Sequence, residues 1–552
     1  MTQSERLGPP DDKSAASAHR PWAYPALAAW IAELPKRFPG AVTCTRVGRS
    51  HEGRPITLLG LGRGPKRLLA WSQMHGDEET HTTVLVRLVE WLLSQPTTDA
   101  SAAILDGLTL GLVPMLNPDG AVRGTRHNAQ GIDINRDARD LATPEGRTLH
   151  ALVDRFRPAY ALNLHNQNHR TRLADRAAPV AVALLAPPRD HAGTSSPSVE
   201  QATQLAAVIR EAVWPHCDGR VTRYDADYMP TAFGEWFQSQ GVATVLIEAG
   251  GSRPGDPPMA DLHELGMRAA LLALADDSFR QADPVGYTSL KRQGEHRLFD
   301  LLIERASVGP AKIDLGVNFP SRSLLRPDAA QGVIAEIGDL TAHGGVRTLS
   351  AAGAVCLPGR ICIADNLSSL GDAVYSRALR CGATTLLAPV TPDEIAAGHA
   401  ADFQASLDGP AVNVALVGAA AELTPTTLLR FLQANVVAVL CDDDDADQTD
   451  LARSVGMPVV DTTAAPRLDA PAPTTVEAWC EETAGVAQRF GLPGRGRVQR
   501  GFHADLVVCD ADPAGVLGGL REVLVGGIEA LHPSGTAGGV LLRRTLGAAN
   551  EP

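Results

Sequence analysis

The chain has 552 residues, of which 44% are hydrophobic and 20% charged, and its formal net charge is -13. That length exceeds one ordinary core and calls for two to four domains. The negative charge argues against a nucleic-acid partner, and no apolar run is long enough to cross a membrane.

Residues 1–20, MTQSERLGPPDDKSAASAHR, are polar and lack the apolar stretch of a signal peptide, so they read as a disordered tail. The eight cysteines are scattered, with no CxxC pair. That is the pattern of reduced cysteines in a cytoplasmic protein rather than of a disulfide framework. Residues 21–70 offer a helical segment, YPALAAWIAELPKRF, and then GRSHEGRPITLLGLG, a hairpin. The apolar run RLLAW follows and reads as a buried strand. It leads into WSQMHGDEET, residues 71–80, and then into the helical pattern THTTVLVRLVEWLL.

Residues 108–116, LTLGLVPML, are a second apolar strand ending in NPDG, a strong turn signal. Residues 123–137, RGTRHNAQGIDINRD, are polar and loop-like. A third strand, PAYALNL, ends at His165, and polar loops fill much of 166–198. The strand VATVLIEAGG carries Glu248, and a helix over 261–275 closes the domain.

The placement of four side chains is informative. His75, Glu78, His165 and Glu248 each stand at or just beyond the carboxyl end of an apolar strand. A parallel-rich α/β sheet gathers such ends along one edge, where ligands bind. Two histidines and one glutamate are the protein ligands of a catalytic zinc, with a fourth position for water. A further glutamate nearby can take a proton from that water. His81, His127, His169 and His191 read as surface or core residues.

The segments GRSHEGRPI, HGDE, NPDG, RHNAQGIDINRD, NLHNQ, AFGEWF and LIEAGG resemble the zinc metallocarboxypeptidase family and occur in its order, from about Tyr24 to about residue 275. The resemblance implies a mixed α/β sheet flanked by helices, with one zinc per chain held by His75, Glu78 and His165. It implies Glu248 as general base and Arg126 as the group that stabilises the oxyanion, with Arg123 as the fallback. Asn135 and Arg136 would bind a substrate carboxylate, and a guanidinium fork suits that task. Asp133 would accept from the other nitrogen of His75 and fix its tautomer. Tyr224 and Tyr228 are both candidates for a substrate-binding tyrosine, and spacing favours Tyr228. The pocket for the released side chain would lie near Ala232 to Trp236.

Residues 281–297 read as a linker. Beyond it, FDLLIERASV, GVIAEIGDL and LSAAGAVCLPGRICIADNL are similar to the opening of amidohydrolases. RFGLPGRGRVQRGFHADLVVCDADP and REVLVGGIEAL resemble the closing β-subdomain of N-acyl-amino-acid deacylases in that superfamily. The similarity covers about 298–530, within a domain expected over 298–545. The HxH of that superfamily is replaced by Ala364 and Asn366, and neither can stand in for an imidazole ligand. This half therefore reads as a second α/β region with a small β-subdomain, a truncated relative without catalytic metal. It would serve in structure, regulation or homo-oligomer formation. The acidic run Asp442–Asp445 reads as a solvated loop.

The expectation is a cytoplasmic, zinc-dependent hydrolase that cleaves an amide next to a free carboxylate in a peptide or an N-acyl amino acid. The alternatives are an amidase of a non-peptide small molecule and a catalytically dead scaffold.

Overall fold

The computed structural model describes residues 22–94, 98–224, 227–253, 255–308, 311–319 and 332–364, and shorter stretches between 374 and 531. The expected tail at 1–20, Asn366 and the acidic run at 442–445 lie outside the described residues. The chain divides into two units between Leu298 and Phe299.

The first unit opens with helix α1 (Tyr24–Arg37) and the antiparallel hairpin of β1 (Val42–Arg49) and β2 (Pro55–Leu61). Strand β3 (Lys66–Trp71) leads to α2 (Thr80–Ser94) and α3 (Asp99–Gly107), then to β4 (Leu108–Val113) and the short helix α4 (Pro118–Arg123). Helix α5 (Pro144–Phe156) precedes β5 (Tyr160–Asn166), β6 (Thr171–Leu173) and β7 (Val182–Leu185). Then come α6 (Pro197–Val213), β8 (Val221–Arg223), α7 (Phe233–Ser239), β9 (Ala243–Ala249) and α8 (Met259–Ala275). All strands but β6 form one sheet in the order β1-β2-β4-β3-β5-β9-β7-β8. The central run β4-β3-β5-β9 is parallel, and the pairings of β1, β2 and β4 on one side and of β7 with β9 on the other are antiparallel.

The central strands are buried on both faces, which is why KRLLAW and ATVLIEA read as continuous apolar runs rather than alternating ones. On one face Leu68, Ala70, Leu162, Leu164, Val245 and Ile247 pack under helices α2, α3, α6 and α8. On the other, Leu69, Trp71 and Ala161 meet Leu149 and Leu152 of α5 and Phe233 and Phe237 of α7. Several helices start where the sequence supplies a capping side chain followed by proline: Asn117-Pro118, Thr143-Pro144 and Ser196-Pro197. In each pair the first side chain accepts a backbone N–H of the first turn.

Three expectations need correction. NPDG is not a free turn but the start of α4, with Asn117 accepting from Gly120 N at 2.9 Å. The stretch 166–198 is not all loop. Its apolar core VALL forms β7, which pairs with β9, and TRL forms β6. Residues 281–297 are not a linker. They include α9 (Val285–Thr288) and β10 (Gln293–Arg297), which pairs with β6; Tyr287 is buried and its hydroxyl accepts from Ala186 N at 3.0 Å.

The second unit holds a sheet that brings its two ends together. Strands β11 (Phe299–Val308), β12 (Ala311–Asn318), β13 (Val333–Gly338), β14 (Gly345–Ser350) and β15 (Ala354–Pro358) open it. Between them and the closing strands run β16 (Arg360–Ile363), β17 (Ala383–Val390), β18 (Asn413–Ala419), β19 (Ala438–Leu440) and β20 (Val459–Val460). These five form a separate all-parallel sheet in chain order. Helix α10 (Val476–Arg489) follows, and β21 (Leu506–Ala511), β22 (Leu517–Val525) and β23 (Ile528–Leu531) complete the first of these sheets through the β15–β21 pairing. Ala364, just past β16, is buried and offers no donor atom.

Candidate active site

The loop after β3 carries His75 and Glu78. Gln73 adopts a left-handed backbone there, with φ 46°. Gly76 passes so close to α4 that a Cβ would stand 2.0 Å from the Gly120 carbonyl carbon. No side chain fits at that position, so the glycine of HGDE is a packing requirement. Asn117 fixes the same loop from below, donating to Met74 O at 3.2 Å. His165 and Glu248 face each other in register on the neighbouring parallel strands β5 and β9.

These elements converge on one buried carboxylate. Glu78 Oε1 lies 2.7 Å from His75 Nδ1, and Glu78 Oε2 lies 2.7 Å from His165 Nδ1. Asn166 N adds a bond to Glu78 Oε2 at 3.1 Å. The imidazole rings are 4.8 Å apart, and the three potential ligand atoms all lie within 4.8 Å of one another. Among the described residues, this is the one cluster of its kind. His75 is 2% exposed, His165 2% and Glu78 7%.

Behind them, His75 Nε2 meets Asp133 Oδ1 at 3.0 Å, which fixes the ring and leaves Nδ1 facing the cluster. Asp133 also accepts from Arg126 Nε at 3.1 Å and Nη2 at 3.0 Å, and from Asn135 N at 2.9 Å. Arg126 Nη1 stands 3.1 Å from His75 Nδ1 and 3.4 Å from Glu78 Oε1. Arg126 thus projects into the cluster. Arg123 does not: it donates to Asp119 O at 3.2 Å and pairs with Glu52.

The electrostatics follow from burial and from these pairings. Burial pushes the Glu78 carboxyl up, but His75 and His165 together draw it well below the usual carboxylate range. His75 is driven up to about 9, the pull of Glu78 and Asp133 exceeding the opposing effect of burial. Asp133 is held low, the His75 bond and Arg126 outweighing its partial burial. Burial lowers His165. Glu248 goes the opposite way from Glu78: burial, then the Glu78 charge, raise it well above an ordinary glutamate. Its Oε2 is buried with no hydrogen-bond partner among the described residues. The surroundings thus shift the two glutamates of one site in opposite directions.

The donor set suits a zinc ion. Two imidazole nitrogens of equal type, one carboxylate, burial from water and an acidic acceptor on His75 are what such a site requires. The family to which the matched segment corresponds uses one zinc, and His75, Glu78 and His165 are its candidate ligands.

The substrate-side candidates are placed as follows. Asn135 is buried, and its Oδ1 accepts from Phe233 N at 3.0 Å. Arg136 is exposed and donates to Asn135 O at 2.7 Å. The Tyr228 ring stacks on His191 with centroids 6.2 Å apart. Tyr224 is the tyrosine that feels Glu248: that carboxylate, then burial, push its phenol up to about 12. Sequence reasoning set His81 aside. It is buried on α2, 3.0 Å from His263 Nδ1 of α8, in a neutral pair whose burial lowers both rings.

A family model described as zinc carboxypeptidase matches residues 27–167. Carboxypeptidase SOL1 of Arabidopsis thaliana is 31% identical over 105 residues, 18% of this chain and 21% of that protein. Carboxypeptidase E of Caenorhabditis elegans is 27% identical over 136 residues, 21% of this chain and 29% of that protein. The chain thus spans about a fifth to a third of the length of these curated relatives. A metallo-carboxypeptidase structure from Burkholderia cenocepacia is 20% identical, with a TM-score of 0.38 over 47% of this chain and 70% of that one. A metallo-carboxypeptidase from Pseudomonas aeruginosa is 21% identical, with a TM-score of 0.38 over the same shares. Glu248 and the whole second unit lie beyond the matched segment. Within it stand His75, Glu78, Arg126, Asp133 and His165, so residues 27–167 of the first unit are similar to the zinc carboxypeptidase family.

Proposed function

We propose that the first unit is a zinc-dependent carboxypeptidase that hydrolyses an amide bond next to a free carboxylate. The observation that carries this reading is the convergence of His75, Glu78 and His165 with Glu248 in register beside them. A zinc ion bound there would act as a Lewis acid and lower the pKa of a water molecule.

The residues of the chain do the rest. Glu248, whose Oε2 has no hydrogen-bond partner among the described residues, accepts the proton of the attacking water and returns it to the leaving amine. Arg126 supplies a fixed positive charge at the cluster, where charge develops on the carbonyl oxygen. Asp133 holds both His75 and Arg126 and so keeps the two in one geometry. Arg136 keeps most of its guanidinium donors uncommitted among the described residues, which suits a terminal carboxylate. Asn135 stands beside it, and Tyr228 would close over the substrate from its loop. The substrates would be peptides or N-acyl amino acids.

A screen of zinc-supplemented protein against paired dipeptides and N-acyl amino acids, each with a free or an amidated C-terminus, tests this reading. Turnover confined to the free acids is expected. Equal turnover of the amidated set would make the protein a general amidase instead.

A further inference from the structure

Arg126 and Asp133 stand at the two ends of a turn, and Asn128 closes it. Asn128 N donates to Ile132 O at 3.0 Å, and Gly131 N donates to Asn128 O at 3.0 Å. Gly131 takes the left-handed backbone the turn needs, with φ 75°. The Asn128 side chain fills the turn from inside: its Oδ1 accepts from Gln130 N at 3.0 Å and from Ile132 N at 3.1 Å. The turn thereby sets the spacing of Arg126 and Asp133, which bond to each other and to His75.

With Oδ1 spent on two backbone N–H groups, Asn128 points Nδ2 the other way and needs acceptors there. Glu145 Oε2, in the first turn of α5, accepts at 3.1 Å, and the exposed Gln130 Oε1 accepts more weakly at 3.3 Å. The second oxygen of Glu145 accepts from His51 N, in the turn between β1 and β2, at 2.9 Å. Glu145 is fully buried and Asn128 nearly so, and no cation pairs with the carboxylate among the described residues. A buried carboxylate held by amides alone is costly, and the amino end of a helix offsets part of that cost. Both groups that Glu145 meets are donors, so both of its oxygens must accept.

We infer that Glu145 and Asn128 are a positioning pair, which fixes this loop so that Arg126 and Asp133 stay against His75 and Glu78. The inference rests on the carboxypeptidase reading. Neither residue of the pair bonds to the cluster itself. They act through Asp133, which orients His75 and holds Arg126.

Glu145→Gln isolates the pairing. Glutamine matches the size but turns an N–H toward either His51 N or Asn128 Nδ2, so a buried donor is left bare. Adding Asn128→Asp gives that N–H an acceptor, while the new carboxylate still accepts from Gln130 N and Ile132 N. The double variant thus restores the pairing with the charge moved across.

The test follows two quantities in the wild type, Glu145→Gln and the double variant, each with and without Asp133→Ala. One is the rate at which zinc-loaded protein loses zinc to a chelator. The other is kcat/KM for a peptide with a free C-terminus. Glu145→Gln should stay folded, lose zinc about 10-fold faster and lower kcat/KM by about 10–100-fold, mostly through kcat. With Asp133→Ala already present, the same change should move neither quantity by more than about 3-fold, because the group it acts through is gone. The double variant should return both to within about 3-fold of wild type. Should Glu145→Gln not fold, Asn128→Ala, which leaves Glu145 its His51 bond, must show the same losses. A carboxylate that serves the fold alone lowers the melting temperature and leaves both quantities near wild type in the folded protein, which overturns the inference. So does an equal loss with Asp133 absent, or a double variant that recovers nothing. A wild type that turns over no peptide brings down the carboxypeptidase reading, and the rate of zinc loss still decides the pairing.

Discussion

The two units treat buried charge differently. In the first, His75 and Glu78 of one loop meet His165 of β5, with Glu248 of β9 in register beside it, and Glu248 Oε2 has no hydrogen-bond partner among the described residues. Among the described residues of the second, Arg360 and Asp314 are buried charges with partners of their own. Arg360 is fully buried but paired with Glu482 at 2.8 Å. Asp314 accepts from Arg305 N at 2.9 Å and Leu340 N at 3.0 Å. A charge with its own partner, pinned where it lies, holds a fold together. Charges that compete for one another's partners cost stability, and they persist where chemistry uses them. The first unit therefore holds the candidate chemistry.

Three substitutions bear on that contrast, in falling order of expected effect. Glu248→Gln preserves shape but cannot accept a proton, so turnover should fall by about 10²–10⁴-fold while the protein stays folded and zinc content is unchanged. Activity within a few-fold of wild type would place the base elsewhere. Arg136→Ala should lower kcat/KM by about 10–100-fold for substrates with a free carboxylate, mostly through KM, because a charge-assisted bond is lost. It should matter much less for amidated analogues, and an equal loss for both would make Arg136 structural. In the second unit, Ala364→His should leave turnover where it was. Residual hydrolysis by Glu248→Gln that disappears when a residue beyond 298 is changed would erase the contrast between the units.

Much of the first unit was legible in the sequence because its signals are local. The central strands are continuous apolar runs, and the ligand residues sit where those runs stop. β7 was hidden because VALL is four residues long and flanked by polar, proline-rich sequence, so nothing local separates it from a loop; only pairing with β9 makes it a strand. α9 and β10 were missed for the same reason, since Tyr287 and Gln293 are placed by contacts with the distant residues Ala186 and Leu173. The tyrosine question turned on spacing, which favoured Tyr228, whereas the charge of Glu248 is felt at Tyr224. Loop residues are positioned by the path of the chain through space, and counting along the sequence does not give that path.

The central claim is that His75, Glu78 and His165 hold one zinc ion. Elemental analysis of purified protein after exchange into metal-free buffer addresses it without any substrate. The wild type should retain one zinc per chain, and His165→Ala, still folded by circular dichroism, should retain little or none. A His165→Ala protein with undiminished zinc would contradict the assignment, as would a wild type that binds none when zinc is supplied.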